Sequence, residues 1–210
     1  NPIFGSPNAD NGYAISDYRD IMPEFGSMAD FDELLAALHA RGIRLVLDLV
    51  VNHSSDEHPW FQASRSSRDN PYRDYYHWWP AEKGTPPSRW SFFAEDGSAW
   101  RYDAQTDAYY LHYFAAKQPD LNWENPELRQ EVYDMMHFWF KKGIDGFRLD
   151  AVTFISKHDG YPAFPEGTTP QQMVNEYYSQ GPRLHEFFKE MNREVLSHYD
   201  VMTVAEGPGT

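Results

Sequence analysis

Cysteine is absent from the 210 residues. That excludes disulfides, zinc–thiolate sites, iron–sulfur clusters and a thiol nucleophile, and it fits a reducing, cytoplasmic setting. Positive charge is scarce: 18 Lys and Arg stand against 32 Asp and Glu, a net charge of −14. A phosphate-backbone binder needs a basic footprint that is missing here, so no nucleic-acid partner is expected. An anionic membrane surface is disfavoured for the same reason, and a neutral ligand is not. Long apolar runs are also missing. The run Leu45-Val46-Leu47 falls far short of the ~18 residues that span a bilayer, and no basic-then-apolar leader is read at the start. There is no Gly-x-Gly-x-x-Gly turn or Walker loop, which weakens a nucleotide-binding reading. What is present is a globular composition, 41% hydrophobic and 24% charged, with 7 Trp, 14 Tyr and 14 Phe. Trp and Tyr can stack on sugars as well as fill cores.

The chain opens on turn formers, Asn1 to Gly12. Phe31, Leu34, Leu35 and Leu38 predict a helix over about 29–41, stopped by Gly42. Ile43 to Val51, apolar except at Arg44 and Asp48, predicts a buried strand of a parallel sheet. Residues 54–117 hold five of the seven Trp, many Pro and Ser, and no sustained helical period; they read as a small irregular inserted domain. Asn125 as cap, Pro126 at the first position and Glu127 at the positive end of the helix dipole start a second helix. Leu128, Val132, Met135 and Trp139 carry it inward to Gly143. Gly146–Asp150 is a strand. A third helix is expected over about 183–198, with Leu184, Phe188, Met191 and Val195 inward, and a last strand over Val201–Glu206. Strands alternating with helices predict a parallel α/β sheet, either doubly wound or closed as a barrel.

Asp48 lies in the first of these strands, Asp150 closes the second and Glu206 closes the third. A carboxylate at a strand end costs desolvation unless it is paired or used. One such acid is most simply a salt bridge or a cap; three together favour function, because α/β barrels gather functional residues at the C-terminal ends of their strands. Arg148 precedes Asp150 by two, which in a strand puts both on one face. Its charge is expected to keep Asp150 ionised, as a nucleophile requires. The apolar residues before Glu206 are expected to raise its pKa towards that of a general acid. One ionised and one protonatable carboxyl are the equipment for glycosidic bond cleavage. His53 reads as a hydrogen-bond donor to a neutral substrate rather than a metal ligand, since no His-x-x-x-His pair occurs. Tyr13 and Phe114 are candidates for stacking on a sugar ring.

At these residues the sequence resembles the alpha-amylase superfamily of glycoside hydrolases. Asp48-Leu49-Val50-Val51-Asn52-His53, Gly146-Phe147-Arg148-Leu149-Asp150-Ala151-Val152 and Ala205-Glu206 resemble its first three signatures. Gly12-Tyr13-Ala14-Ile15-Ser16-Asp17-Tyr18 resembles the segment around its second barrel strand. Gln118-Pro119-Asp120-Leu121-Asn122 resembles the marker of the branch that holds oligo-1,6-glucosidases, alpha-glucosidases and sucrose isomerases. The resemblance implies a (β/α)8 barrel with a domain inserted after the third strand: residues 1–53 barrel, 54–117 insertion, 118–210 barrel, about strands two to five. It implies Asp150 as nucleophile and Glu206 as acid/base. Asp10, Tyr13, Asp48, His53 and Arg148 would line the subsite of the reacting glucose, with Phe114 and Gln118 near the neighbouring sugar. Many members bind calcium through the Asn matched by Asn52. In this branch a Lys replaces the ion, and Lys157 stands in the matching place, so no metal or cofactor is expected here, calcium being expected only in an N-terminal part beyond this stretch.

The expected activity is retaining hydrolysis of terminal α-linked glucose from short oligosaccharides or disaccharides. Ala151, where a Val goes with α-1,6 cleavage, leans towards maltose-type substrates. The alternative is a sucrose isomerase or related glucosyl transferase. A non-catalytic relative, like the heavy chains of amino-acid transporters, is disfavoured because the catalytic set is in place. The family's fourth signature, a His-Asp after the seventh strand, is expected to lie beyond this stretch of about strands two to five. The expectation is therefore a fragment of a larger enzyme, inactive and poorly soluble by itself. Ala14 stands where the branch usually has Asp and receives no functional reading.

Overall fold

The computed structural model describes residues 1–207; residues 208–210, the end of the last expected barrel segment, lie outside the described residues. In chain order the strands and α-helices are β1 (Phe4–Gly5), β2 (Asp17–Ile21), α1 (Met28–His39), β3 (Val46–Val50), α2 (Pro59–Ser64), β4 (Trp78–Pro80), β5 (Trp100–Asp103), β6 (Ala108–Leu111), α3 (Pro126–Lys142), β7 (Gly146–Asp150), α4 (Pro170–Met173), α5 (Leu184–Glu194) and β8 (Met202–Ala205). Strands β3, β7 and β8 form a parallel sheet in that order. Both connections carry a helix, as parallel neighbours require.

Local chemistry sets the helix ends. Ser27 and Asp30 make a capping box at α1. Its far end is a Schellman closure: Gly42 N–H donates to His39 O and Ile43 N–H to Leu38 O. Ile43 is thereby held by the helix end and half exposed, so β3 starts at Val46 rather than at Ile43. Leu34, expected inward, is 51% exposed, because Phe31 and Leu35 alone carry the buried stripe of α1. Helix α3 matches its expected limits. The Asn125 carboxamide accepts from Glu127 N and Leu128 N, and Gly143 closes the helix at φ 108°. In α5 the inward residues are Leu184, Phe187 and Met191, at i, i+3 and i+7; Phe188 lies around the helix from this stripe and is half-buried.

The segment around Tyr13 is not a parallel strand. β2 pairs antiparallel with β1, and neither joins the parallel sheet. The insertion is more regular than its sequence suggests. It holds α2 and an antiparallel sheet of order β4-β6-β5, whose strands of three or four residues are too short to show a period. Phe61, Tyr76 and Tyr110 of this region join the main core with Trp123, Trp139 and Phe147. A second, smaller core of Trp100, Leu111, Tyr113, Phe154 and Tyr178 fills the space between the inserted sheet and the segment after β7.

Candidate active site

The register of the parallel sheet builds the site. Asp48 on β3 lies opposite Arg148 on β7, and Val50 opposite Asp150. Leu149 lies opposite Ala205 on β8, and Glu206 N–H donates to Leu149 O at 3.0 Å. Strand alternation then sends Asp48, Arg148, Asp150 and Glu206 to one face. Leu47, Leu49, Phe147 and Leu149 go to the other face and are buried. Arg148 Nη1 donates to Asp48 Oδ1 at 2.8 Å and to Asp150 Oδ1 at 2.6 Å, and Nη2 pairs with Glu206 Oε2 at 2.9 Å. One guanidinium thus gathers three carboxylates from three adjacent strand ends. Tyr13 joins the group: its hydroxyl accepts from Arg148 Nη1 at 3.4 Å and donates to Asp48 Oδ2 at 3.5 Å.

Ala151 sits immediately past Asp150 with φ 45° and ψ 26°, left-handed backbone that a residue with a Cβ enters only at a cost. The turn aims Ala151 N–H at Glu206 Oε2, 3.2 Å away. The cost therefore supports a contact to the second carboxyl of the pair.

The charge state of Asp150 differs from the expectation. Burial pushes its carboxyl up, to about 7; Arg148 opposes this, and the negative charge of Glu206 adds to it. The physical reason is that Arg148 is shared. Three carboxylates against one guanidinium leave two negative charges in excess, and a proton held between them relieves part of that excess. For Arg148 burial weighs against the charged form, but hydrogen bonding to Asp48 and the carboxylate charges prevail and raise it. Burial first, then the Asp48 charge, raises the Tyr13 phenol. The apolar surroundings expected around Glu206 are not found: its side chain is half exposed, held by Arg148 and the Ala151 amide.

Above these groups opens a cleft of about 510 Å³. Asp10, Tyr13, His53, Phe114, Arg148, Asp150, Ala151 and Glu206, all singled out from sequence, line it. Two other expected substrate contacts stand behind the wall. Asp48 reaches the cleft through Arg148 and Tyr13, and Gln118 through Asp10, to which its Nε2 donates at 3.0 Å. His53 is buried beside Gln118 and Phe114, with ring centroids 5.1 Å apart in the second pair. Burial first, then the charge of Lys157, lowers its pKa to about 3, so it is a neutral imidazole. Sequence reasoning missed Phe92, Phe93, Phe154 and Val174, which also line the cleft. The adjacent pair Phe92-Phe93 in an aromatic-rich insertion is a usable signal. Val174 begins a five-residue π-turn, and nothing in the sequence marks it.

Lys157 reaches from the segment after β7 into the junction with the insertion. Its ammonium donates to Asn52 Oδ1 at 2.8 Å and to Phe154 O at 2.7 Å, both fully buried contacts. Asp120 Oδ2 lies 2.8 Å away. That link is ionic, since this oxygen lies outside hydrogen-bond geometry. Burial pushes Asp120 up and Lys157 down, and each partly offsets the other. Among the described residues no cluster of three or more His, Asp or Glu is placed to hold a metal ion.

Carboxylates at consecutive strand positions, a shared arginine and an aromatic cleft thus stand together on one face of a parallel α/β sheet, where barrels of this class gather their functional residues. Residues 1–210 match the alpha-amylase catalytic domain family, and the chain belongs to that family. It is 60% identical to an oligo-1,6-glucosidase of Parageobacillus thermoglucosidasius over 99% of its own length and 37% of the relative's. It is 55% identical to an alpha-glucosidase of Pediococcus pentosaceus over 100% of this chain and 37% of that one. Among solved structures it resembles trehalulose synthase MutB of Pseudomonas mesoacidophila MX-45, with TM-score 0.90 and 53% identity over 98% of this chain and 36% of that one. The chain thus spans a little over a third of the length of the relatives it matches.

Proposed function

We propose that this chain carries the nucleophile and the acid/base of a retaining α-glucosidase acting on short neutral oligosaccharides. The observation that carries the reading is the Arg148 guanidinium bonded to Asp48, Asp150 and Glu206 on one face of three adjacent strands. In this reading β3, β7 and β8 are the third, fourth and fifth strands of a (β/α)8 barrel, and residues 54–117 are the insertion after the third. The Lys157 ammonium beside Asn52 supports a reaction without a metal at this junction, calcium being left to an N-terminal part outside this stretch. A cytoplasmic location is part of the same proposal.

The depth of the groups supports these roles. Asp150 lies at the floor, held by Arg148, and its free oxygen attacks the anomeric carbon. The bond to the leaving oxygen breaks as Glu206, half exposed at the mouth, delivers its proton there. A water then gives its proton to Glu206 and attacks the same carbon, releasing Asp150 and restoring the original configuration. Asp150 must be ionised to attack, so the proton that burial and the Glu206 charge favour on it has to pass to Glu206 before the first step. Retention requires the two carboxyls about 5–5.5 Å apart when the sugar is bound. A fluorinated glucosyl fluoride that stalls the second step tests the roles in a full-length enzyme of this sequence. One glucosyl unit is expected on the peptide containing Asp150, with no label in Asp150→Ala. Labelling elsewhere, or a product of inverted configuration, defeats the assignment.

Two specificity questions sit within this reading. Likeness to a trehalulose synthase, whose complex with the substrate sucrose is known, supports glucosyl transfer between sugars as the second reading. Product analysis on sucrose separates the two, since hydrolysis yields free glucose and isomerisation does not. For linkage, the small Ala151 at the cleft wall leaves room for a closely held α-1,4 leaving sugar. Ala151→Val is expected to lower the kcat/KM ratio of maltose to isomaltose, by about the 1–3 kcal/mol of a methyl-scale change. An unchanged ratio removes Ala151 as a linkage determinant.

A further inference from the structure

The inserted sheet presents a second aromatic surface away from the catalytic cleft. Trp79 on β4 lies opposite Tyr109 on β6, and Tyr109 lies opposite Tyr102 on β5. Cross-strand neighbours share a face, so three rings form one continuous row across the whole sheet. The preceding register row, Trp78, Tyr110 and Arg101, points the other way, and Trp78 and Tyr110 pack there on Phe61. The outer row is open: Tyr102 is 48% exposed, and Trp79 and Tyr109 are half-buried.

The row is held rigid. Tyr102 Oη donates to Asp107 Oδ1 at 2.8 Å, and Trp79 Nε1 donates to Gly84 O at 3.0 Å. Arg68 ties together the loop after β4 and the β5–β6 turn, which lie side by side at one end of the sheet, bonding Glu82 through two nitrogens at 2.8 and 3.0 Å and the Asp107 carbonyl at 2.8 Å. From Trp79 the surface runs into a cleft of about 580 Å³ between the sheet and the segment after β7. The cleft also takes in Lys83, 5.5 Å above the Trp79 ring, with His158 and Asp159. Its inner wall is Tyr161, at φ 51° directly after Gly160 at φ 65°. A tyrosine in left-handed backbone is strained. Here the strain seats the ring edge-on against Trp100, centroids 5.1 Å apart. The small core that backs the catalytic cleft through Ala151 and Phe154 also supports Trp79, Tyr109 and Tyr161.

We propose that Trp79, Tyr109 and Tyr102 form a secondary binding platform for a neutral oligosaccharide, continuing into the adjoining cleft. The polar edges of Trp79 and Tyr102 are already bonded within the protein, which leaves the ring faces of Tyr102 and Tyr109, and the Trp79 face beneath the exchangeable Lys83 side chain, as the surface on offer. Flat apolar faces with polar groups at the rim match a pyranose, which has an apolar C–H face and hydroxyls around its edge. Around the platform Asp107 and Asp159 are set against Lys83, and the whole chain carries −14, so the surface offers no net positive charge to hold an anion; a polyol has no charge to be repelled. The hydrogen-bonded, clamped row loses little freedom on binding. The site goes beyond the catalytic reading and depends on none of its residues; it shares only the class of ligand.

The test uses a full-length enzyme carrying Asp150→Asn, so that ligand is not consumed, and maltohexaose titrated by calorimetry. Two classes of site are expected. Adding Tyr102→Ala or Trp79→Ala should weaken one class about tenfold and spare the other, while Tyr102→Phe, which keeps the ring, should bind as the parent does. In the active enzyme Tyr102→Ala should leave kcat/KM for an aryl glucoside unchanged. A single class of site, or Tyr102→Ala binding as its parent, overturns the platform. Failure of the Asp150 labelling overturns the catalytic assignment instead and leaves this measurement standing.

Discussion

At the scale of single residues, Arg148 does two things that pull against each other. It orients Asp48, Asp150 and Glu206, and because it is shared it cannot neutralise them all. Asp150 bears the consequence, its carboxyl pushed up to about 7 from an ordinary 3.8, with burial the leading cause. Between those values the native protein holds a proton that the unfolded chain has released. Stability is therefore lost as pH rises through this window, the usual sign for a group whose folded pKa is raised. Asp150→Asn removes the buried charge while keeping an acceptor for Arg148. It is expected to stabilise the protein at pH 8 by on the order of 4 kcal/mol, from about 1.4 kcal/mol per tenfold change in proton affinity, and to leave stability unchanged near pH 3.5. Thermal melts of both proteins across pH check this. A gain that persists undiminished in acid would mean that packing, not charge, is responsible. In its proposed role of nucleophile, Asp150 is held at a cost in stability, the common trade between activity and stability.

At the scale of elements, legibility in the sequence followed the range of the interaction. Asn125, Pro126, Glu127 and Gly143 framed α3 because capping is local chemistry within a few residues. The shared face of Arg148 and Asp150 followed from strand alternation alone. The strands of the insertion did not show, since three or four residues cannot display a period and their pairing spans up to 32 positions, as between Trp78 and Tyr110. Phe154 and Val174 reach the cleft only through tertiary packing. The charge state of Asp150 was misjudged because it depends on burial and on how many acids one arginine must serve. Lys157 lies between these cases: its place near Asn52 was legible by resemblance, its partner Asp120 was not. It ties the end of β3, the return to α3 and the segment after β7 through one buried ammonium. Lys157→Met leaves Asp120 buried and unpaired, and is expected to cost about 3–5 kcal/mol. Adding Asp120→Asn removes the stranded charge but keeps an acceptor for Tyr113 N–H, and should recover part of that loss. Urea unfolding of wild type, single and double variants measures both effects. A cost below about 1 kcal/mol for the single variant would show that the ammonium is not what holds the junction.

At the scale of the whole molecule, the buried histidines set the response to acid. Burial lowers His53, His58 and His77 each to about 3 from 6.5, and the charge of Lys157 assists at His53 and His77. His58 has a further reason to stay neutral: it caps α2, its Nδ1 accepting from Trp60 N–H at 3.1 Å. Below 6.5 the unfolded chain takes up three protons that the native state refuses at these rings; burial lowers His112 as well and raises Asp120, and these two act in opposite senses. The three rings therefore contribute stability that is present above 6.5 and lost as pH falls towards 3. Asp150 acts in the opposite sense, the native state holding one proton more between 3.8 and about 7. Three less one leaves about two protons taken up on unfolding near pH 5, or about 2.7 kcal/mol lost per pH unit. Urea midpoints at steps from pH 7.5 to 4.5 should fall along that slope. The slope should steepen by about one further proton in Asp150→Asn, where the opposing group is gone, and flatten by about one in His58→Asn, which keeps a capping acceptor without a titrating ring. Stability that holds level down to pH 4.5, or slopes that do not move in opposite directions in the two variants, would show that the buried imidazoles and the Asp150 carboxyl do not govern acid unfolding.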